Sequence, residues 1–222
     1  MPQKKNKKIL IYFFLFLIIG TINNKDLNKI DFVKVNKIIV TGLEDKDNLE
    51  LTNNLNFLKF SNLLFLKESK IDKIINSNTL VEKYSIFKRY PSTLNIKIDK
   101  TKFLAQIKKN GNIFFLGSNG KLIKTSELKS NMPFIFGNFK NESFFELKKA
   151  IDQTNFNYDQ IKNIFFFKSG RWDIETKNGL LIKLPAKEIK KSLELSINIL
   201  NNDKKKIKEI DLRQSNQVII NG

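Results

Sequence analysis

An apolar stretch near the N-terminus constrains this chain more than any other sequence feature. It runs from Ile9 to Ile22 and is interrupted only by Tyr12, Gly20 and Thr21. As a helix it rises about 21 Å, less than the roughly 30 Å of a hydrocarbon core, so flanking lysines must reach the interface if it is to span a membrane. A span here places every later residue on one side of that membrane.

A cleaved signal peptide is the competing interpretation, because it also joins a basic segment to a short apolar one. Cleavage requires small residues at two closely spaced positions before the cut. Ile19, Ile22 and Asn23 occupy such positions here, so no good cleavage site follows the stretch. We therefore expect an uncleaved transmembrane anchor at residues 9–22, preceded by a cytoplasmic basic tail at residues 1–8.

The lysines beside the anchor predict its orientation. Four of them precede it, whereas Lys25 and Lys29 after it are offset by Asp26 and Asp31. Because basic residues stay on the cytoplasmic side, we predict a cytoplasmic N-terminus and an exported chain from residue 23 onward. The residues expected to set this topology are Lys4, Lys5, Lys7 and Lys8.

Composition limits what the exported part can do. The chain contains no Cys and no His, which excludes disulfides, thiolate sites, His-based triads and imidazole metal ligands. It carries 40 basic and 22 acidic residues for a net charge of +18, but the lysines are spread along the chain and interleaved with acids. We therefore expect no nucleic-acid partner, no metal and no cofactor, and only a minor attraction to anionic headgroups or wall polymers.

Hydrophobic patterning in the first half predicts the order β-α-α-β-β. Residues 32–40 are β-branched and partly alternating, as is typical of a strand, and Thr41-Gly42 ends it. Two helices over one face of a three-stranded sheet would bury this pattern. The first helix places Leu51, Leu55 and Leu58 on one face, and a buried apolar connector follows at residues 62–66. The second helix is capped by Ser69 with Asp72 and lined by Ile71, Ile74 and Ile75. A hairpin of residues 84–90 and 93–99 completes the order.

The second half predicts a mostly antiparallel β domain with two helices. Asn- and Gly-containing turns separate its strands, as at Asn110-Gly111-Asn112 and Asn178-Gly179. Strands are expected at residues 103–108, 113–116, 121–124, 161–168, 171–176, 180–184, 207–213 and 217–220. The helices are one that starts at a Ser143–Glu146 capping box and buries Phe144, Leu147 and Ile151, and one that Pro185 opens and that aligns Ile189, Leu193, Ile197 and Leu200.

The order of several short motifs resembles the FtsQ/DivIB family of bacterial cell-division proteins. The first half is similar to the family's POTRA domain through Val40-Thr41-Gly42, Asn62-Leu63-Leu64-Phe65 and Arg89-Tyr90-Pro91-Ser92-Thr93-Leu94. The second half matches through Met132-Pro133-Phe134-Ile135-Phe136-Gly137, Arg171-Trp172-Asp173-Ile174, Asn178-Gly179-Leu180 and, most specifically, Ile210-Asp211-Leu212-Arg213. The chain departs from the family pattern at Phe103, Gly117 and Gln214, which stand for a usual Pro, Asp and aromatic residue.

The resemblance implies an α+β architecture with a defined domain order. A stalk at residues 23–31 is followed by a POTRA domain at residues 32–100 and an FtsQ-type β domain at residues 101–222. It also implies a non-enzymatic scaffold of the divisome in the inner membrane at the division septum, with both domains periplasmic, linking early and late division proteins. A membrane-anchored cell-wall hydrolase or peptidoglycan-binding module is the alternative, for which Glu209 and Asp211 are the available paired acids.

Two surfaces follow from the resemblance as expected partner sites. The last strand has no later element to cover it, so its backbone is a template for a strand from an FtsB-like subunit of an FtsB/FtsL-like pair. Ile86 and Lys88 lie where the family recruits an upstream, FtsK-like protein. The residues expected at the C-terminal docking edge are Arg213, Gln214, Asn216, Val218, Ile219 and Ile220.

Overall fold

The computed structural model of the chain describes residues 4–22, 34–124, 131–202, 207–214 and 217–222. Two compact units are distinguished, one formed by Met1–Ile75 and Ser85–Lys97 and the other by Asn76–Tyr84 and Ile98–Gly222. The helices are α1 (Lys4–Ile22), α2 (Asp45–Asn54), α3 (Glu68–Ser77), α4 (Asn141–Asp152) and α5 (Ile189–Asn202). The strands are β1 (Lys37–Thr41), β2 (Val81–Arg89), β3 (Thr93–Lys100), β4 (Phe103–Lys109), β5 (Asn112–Gly117), β6 (Leu122–Ile123), β7 (Phe134–Phe136), β8 (Ile161–Phe166), β9 (Trp172–Thr176), β10 (Leu181–Lys183), β11 (Glu209–Gln214) and β12 (Gln217–Asn221).

Helix α1 contains the apolar stretch near the N-terminus. Its side chains from Ile9 to Ile19 are all exposed, at 44 to 75 % of their full surface. Within the ranges given above, no helix combines the length and the apolar character that crossing a membrane requires. The predicted stalk at residues 23–31, like Phe32 and Val33 of the predicted first strand, lies outside the described residues.

A three-stranded sheet has β3 at its centre, flanked by β1 and β2. Strand β1 runs parallel to β3, pairing Ile38 with Leu94 and Val40 with Ile96. The predicted alternation in β3 is confirmed, because Leu94, Ile96 and Ile98 are buried while Lys97 and Asp99 are exposed. The leucines predicted to share one helix face are also buried, although Leu55 and Leu58 follow α2 rather than belong to it.

The predicted helix starts are wrong. Helix α3 begins at Glu68 and α4 at Asn141, so Ser69 and Ser143 lie inside the first turn. A capping serine must precede the helix with an extended backbone, and Lys140 occupies that position in α4 without a side-chain cap. Helix α5 starts at Ile189, four residues after Pro185, because Glu188 has a left-handed φ of 57° that the helix cannot include.

The prediction that the connector at residues 62–66 is buried is also wrong for two of its residues. Leu63 is fully buried, but Leu64 and Phe65 are 46 and 71 % exposed. The side chain of Asn62 accepts hydrogen bonds from the backbone N–H groups of Leu64 (2.8 Å) and Phe65 (3.3 Å). This local turn directs two neighbouring apolar side chains to the surface.

A nine-stranded mixed sheet organises the second unit in the order β12-β11-β10-β9-β8-β7-β4-β5-β6. The predicted α+β class is confirmed by this sheet and the helices beside it. A row of isoleucines runs across six neighbouring strands, from β7 to β12. Each is paired in register with the next, in the order Ile135, Ile164, Ile174, Ile182, Ile210 and Ile220. The first five of these isoleucines are at most 2 % exposed, and the row therefore forms the spine of the core.

Trp172 anchors the same core from β9. It is 1 % exposed, and its ring lies 4.6 Å from that of Phe166, 5.7 Å from that of Phe139 and 6.5 Å from that of Phe144. These distances are typical of packed aromatic pairs. The tryptophan therefore serves core packing and is not a ligand-stacking platform.

Candidate functional site

Strand β12 forms one edge of the large sheet. It pairs with β11 in antiparallel register, opposing Ile210 to Ile220 and Asp211 to Ile219, with an irregularity before Gln214. An edge strand presents backbone N–H and C=O groups that can pair with another chain. Within β12 no residue is Pro, Lys, Asp or Glu, the types that usually protect such an edge.

The apolar side chains of β12 are exposed, although they continue a row of side chains that is buried in the neighbouring strands. Val218, Ile219 and Ile220 are 36, 43 and 44 % exposed, although Ile210, the neighbour of Ile220 in β11, is fully buried. The row of isoleucines that forms the core therefore reaches the sheet edge without cover among the described residues. An added strand with an apolar residue in register would extend that row by one position.

Arg213 is bound within the chain by Asp211. Its Nε lies 2.8 and 2.9 Å from the two carboxylate oxygens, Nη2 binds Oδ2, and the Arg213 backbone N–H donates to Oδ1 at 3.1 Å. These hydrogen bonds hold the pKa of Asp211 below its usual value. The Arg213 side chain stays 41 % exposed, so its guanidinium can donate to a second carboxylate on the solvent side.

Charged side chains continue from this pair across the same face of the sheet. In register, Asp211 of β11 opposes Lys183 of β10, which opposes Asp173 of β9. Arg171 approaches Asp173 with 3.7 Å between Nε and Oδ1. Burial raises the pKa of Asp173, since the loss of hydration outweighs the attraction of Arg171, Arg213 and Lys183.

Two pockets lie on opposite faces of the β11–β12 ladder. They have volumes of about 450 and 410 Å³, and both are lined by Arg213 and Gln214. The first has both charged and apolar lining residues, with Arg171, Pro185, Asp211 and Ile219 among them. The second is bounded by α5 and more apolar, with Leu195, Leu212 and Val218 among its lining residues.

The structure brings together most of the residues predicted for this edge. Arg213 and Gln214 end β11, and Val218, Ile219 and Ile220 lie in β12. Asn216 lies outside the described residues. Sequence reasoning did not include Arg171, Asp173 and Lys183, which the sheet register places beside Asp211. These residues are far from Asp211 along the chain, so the sequence alone does not indicate that they are close to it. The sequence does indicate that Arg171 and Asp173 share one strand face, because they are two residues apart after a turn.

The residues predicted for recruitment occupy the edge strand β2 of the small sheet. Ile86 and Lys88 are both partly buried, and Lys88 Nζ donates to the carbonyl of Leu64 at 3.4 Å. Of the lysines predicted to set topology, Lys7 and Lys8 are exposed in α1, and Lys4 and Lys5 belong to the same helix. These placements leave both assignments as predictions.

The paired acids of β11 are already engaged by cations. Glu209 forms an ion pair with Lys183, with 2.9 Å between Oε1 and Nζ, and Asp211 forms one with Arg213. Among the residues described, no group of three or more acidic side chains could hold a metal ion. The arrangement supports recognition of an added strand and a carboxylate.

Comparisons with known proteins find similarity to cell division proteins. The family model described as cell division protein FtsQ/DivIB, C-terminal, matches residues 105–213. Cell division protein FtsQ of Rickettsia bellii is 25 % identical over 192 residues, covering 84 % of this chain and 72 % of the relative, and that of Rickettsia typhi is 26 % identical over 198 residues with the same coverage. Cell division protein DivIB of Staphylococcus aureus is 27 % identical over 146 residues, or 65 % of this chain and 30 % of its own length. The major extracytoplasmic domain of DivIB from Geobacillus stearothermophilus aligns at 15 % identity with a TM-score of 0.35, over 48 % of this chain and 99 % of that structure.

Proposed function

Because the chain belongs to the FtsQ/DivIB family of cell division proteins, we propose that it is a membrane-anchored scaffold of the bacterial divisome. It carries no catalytic step of its own and links early and late division proteins by binding them. The single observation that carries this proposal is the exposed end of the isoleucine row at β12, a surface suited to an added strand.

The proposed layout assigns one role to each segment. Residues 1–8 are a cytoplasmic tail, residues 9–22 an anchor, and residues 23–31 a periplasmic stalk. The POTRA domain at residues 32–100 and the β domain at residues 101–222 then face the periplasm. The layout is supported by the order of motifs and by the position of the matched family region in the second of these domains.

Anchoring by α1 is supported by the chemistry of its surface. Large apolar side chains are exposed all around the helix from Ile9 to Ile19, and a helix of that kind is stable where lipid covers it. The preceding lysines favour an N-terminus in the cytoplasm, because positive residues flanking a span remain on that side. Because the apolar part of α1 is by itself too short to cross, we propose that the flanking lysines reach the interface and that the chain spans the inner membrane once.

Docking at the C-terminal edge is proposed to occur by strand addition. A strand from an FtsB-like protein of an FtsB/FtsL-like pair would hydrogen-bond to the backbone of β12 and cover Val218 or Ile220 on one face and Ile219 on the other. Arg213 would keep Asp211 as its internal partner and offer its exposed side to a carboxylate of the added chain. Gln214 would contribute a polar contact at the same end.

Recruitment to the septum is assigned to the small domain. Ile86 and Lys88 lie in β2, whose outer edge is not paired with another strand among the described residues. An FtsK-like upstream protein would bind beside this strand. The role of the domain is then to bring the anchored chain to the division site.

The test of the scaffold is co-purification from native membranes using the full chain. Ile219→Ser with Ile220→Ser should remove the FtsB/FtsL-like pair, because both apolar contacts of the edge are lost. Leu122→Ser is the matched control: Leu122 is 36 % exposed in β6, at the opposite edge of the same sheet. Equal recovery of partners with the double variant and with wild type would refute docking at β12.

A further inference from the structure

Exposed aromatic side chains cluster in the segment between α2 and α3. Phe57, Phe60, Leu64 and Phe65 are 52, 77, 46 and 71 % exposed, all within nine consecutive positions. Single exposed apolar residues are ordinary, but a concentration of this kind marks a surface that another phase or molecule covers.

The segment is held rigidly while it exposes these side chains. Leu58 and Leu63 are buried at 1 and 0 %, and they fix it to the core on both sides of Phe60. Phe60 has a φ of 70°, a left-handed backbone conformation that a bulky residue rarely adopts. The fold therefore maintains an unfavourable conformation at the most exposed phenylalanine instead of turning it inward.

The charge of the segment is entirely positive. From residue 51 to residue 67 there is no Asp or Glu, whereas Lys59 and Lys67 are both exposed beside the aromatic residues. Lys88 adds a third cation, since its Nζ donates to the carbonyl of Leu64. Aromatic residues flanked by lysines have the chemistry of a surface that enters the interface of an anionic lipid bilayer.

The chain connection keeps the segment close to the proposed anchor. Phe60 N–H donates to the carbonyl of Val35 and Val35 N–H to that of Ser61, both at 2.9 Å. Only residues 23–33 separate Val35 and its neighbour Lys34 from the end of α1, and such a length spans at most about 40 Å even when fully extended. Tethering makes a weak interfacial contact intramolecular, which raises its occupancy without any new contact.

We propose that residues 57–65 form a second membrane contact, in which the exposed phenylalanines insert into the headgroup region of anionic phospholipid. This contact rests on the proposed anchoring by α1. It orients the first unit on the membrane. The occupant is the bilayer to which the chain is attached.

The test uses an environment-sensitive fluorophore on a single cysteine in the full chain, which has no native cysteine to interfere. Phe65→Cys is labelled, and the protein is reconstituted in vesicles of phosphatidylglycerol with phosphatidylethanolamine or of phosphatidylcholine alone. A rise in fluorescence of about twofold or more is expected in the anionic vesicles, together with quenching by spin-labelled lipids. Raising salt from about 0.1 to about 1 M should reduce it, since the Debye length falls from about 10 to about 3 Å.

Two further labels separate the possible results. Leu49→Cys is the matched control, because Leu49 is 61 % exposed in α2 but lies between acidic residues, and its label should stay unquenched. Leu15→Cys reports on the anchor. Quenching at position 15 without quenching at position 65 would overturn the second contact and leave the anchor intact, whereas no quenching at position 15 would refute the anchor itself.

Side-chain replacement gives the final arm of the same experiment. With the label at position 65, Phe57→Ser combined with Phe60→Ser should abolish the anionic-lipid signal, because the remaining apolar surface is too small to hold the segment in the interface. Both side chains are exposed, so the fold should survive, as circular dichroism can verify. Unchanged quenching in this variant, or a signal that requires a second protein, would contradict insertion into lipid.

Discussion

Replacement of both exposed isoleucines of β12 should weaken docking of the FtsB/FtsL-like pair by a predictable amount. Complete burial of an isoleucine side chain stabilises by roughly 1.5–3 kcal/mol relative to exposure. Ile219 and Ile220 still expose 43 and 44 % of their surface, so covering each would contribute about 1 kcal/mol. The variant Ile219→Ser with Ile220→Ser should therefore lose about 2 kcal/mol of binding free energy, a change of roughly 30-fold in Kd.

The assay is isothermal titration of the full chain in lipid nanodiscs with the purified pair. Thermal unfolding followed by circular dichroism shows whether the variant remains folded, and Leu122→Ser at the opposite edge provides the comparison. The larger, already buried part of each isoleucine also stabilises the isolated fold, so we expect Tm to fall as well, and the titration is made well below the Tm of the variant. An affinity within about threefold of the Leu122→Ser control, a difference of only about 0.7 kcal/mol, would refute the reasoning.

Three other predictions concern the charges of the edge and the recruitment surface. Arg213→Ala should lower Tm at neutral pH but not in strong acid: the depressed pKa of Asp211 means that its stabilisation is present above its unfolded pKa and lost as pH falls through the folded one. Asp173→Asn should raise Tm at neutral pH relative to wild type. The raised pKa of Asp173 means that the wild type loses stability as pH rises from the unfolded pKa through the folded one, whereas thermal unfolding between about pH 3 and 7 should show no such loss in the variant. Ile86→Glu with Lys88→Glu should abolish septal fluorescence of the tagged full chain without changing co-purification of the FtsB/FtsL-like pair, and unaltered localisation would contradict the recruitment assignment.

Local patterns explain why much of the fold could be predicted. The alternation of Leu94, Ile96 and Ile98 specifies a strand with one buried face, and Asn110-Gly111 adopts the positive φ angles of 51 and 78° that a tight hairpin turn requires. The first residue of each helix is harder to predict from the sequence, since the Ser-x-x-Glu pattern also occurs inside helices. Ser143 illustrates this, because it is the third residue of α4, which begins at Asn141.

Long-range register explains what the sequence could not indicate. Ile135 and Ile220 belong to one row only because five strand pairings bring them into register, and no sequence window contains both. The approach of Asp173, Lys183 and Asp211 depends on the same pairings. The exposed connector has a different cause: its apolar composition predicts burial, whereas the hydrogen bonds of Asn62 turn Leu64 and Phe65 outward.

Hydrogen exchange at the C-terminal strand tests strand addition most directly. Amides of residues 217–221 should be measured by mass spectrometry or NMR in the full chain, free and bound to the FtsB/FtsL-like pair. The outward-facing amides of β12 have no neighbouring strand in the part of the chain that the structure describes. Strand addition predicts that they slow by at least about tenfold on binding, while those of Leu122 and Ile123 at the opposite edge do not change. Formation of the complex with unaltered exchange across β12 would contradict the account.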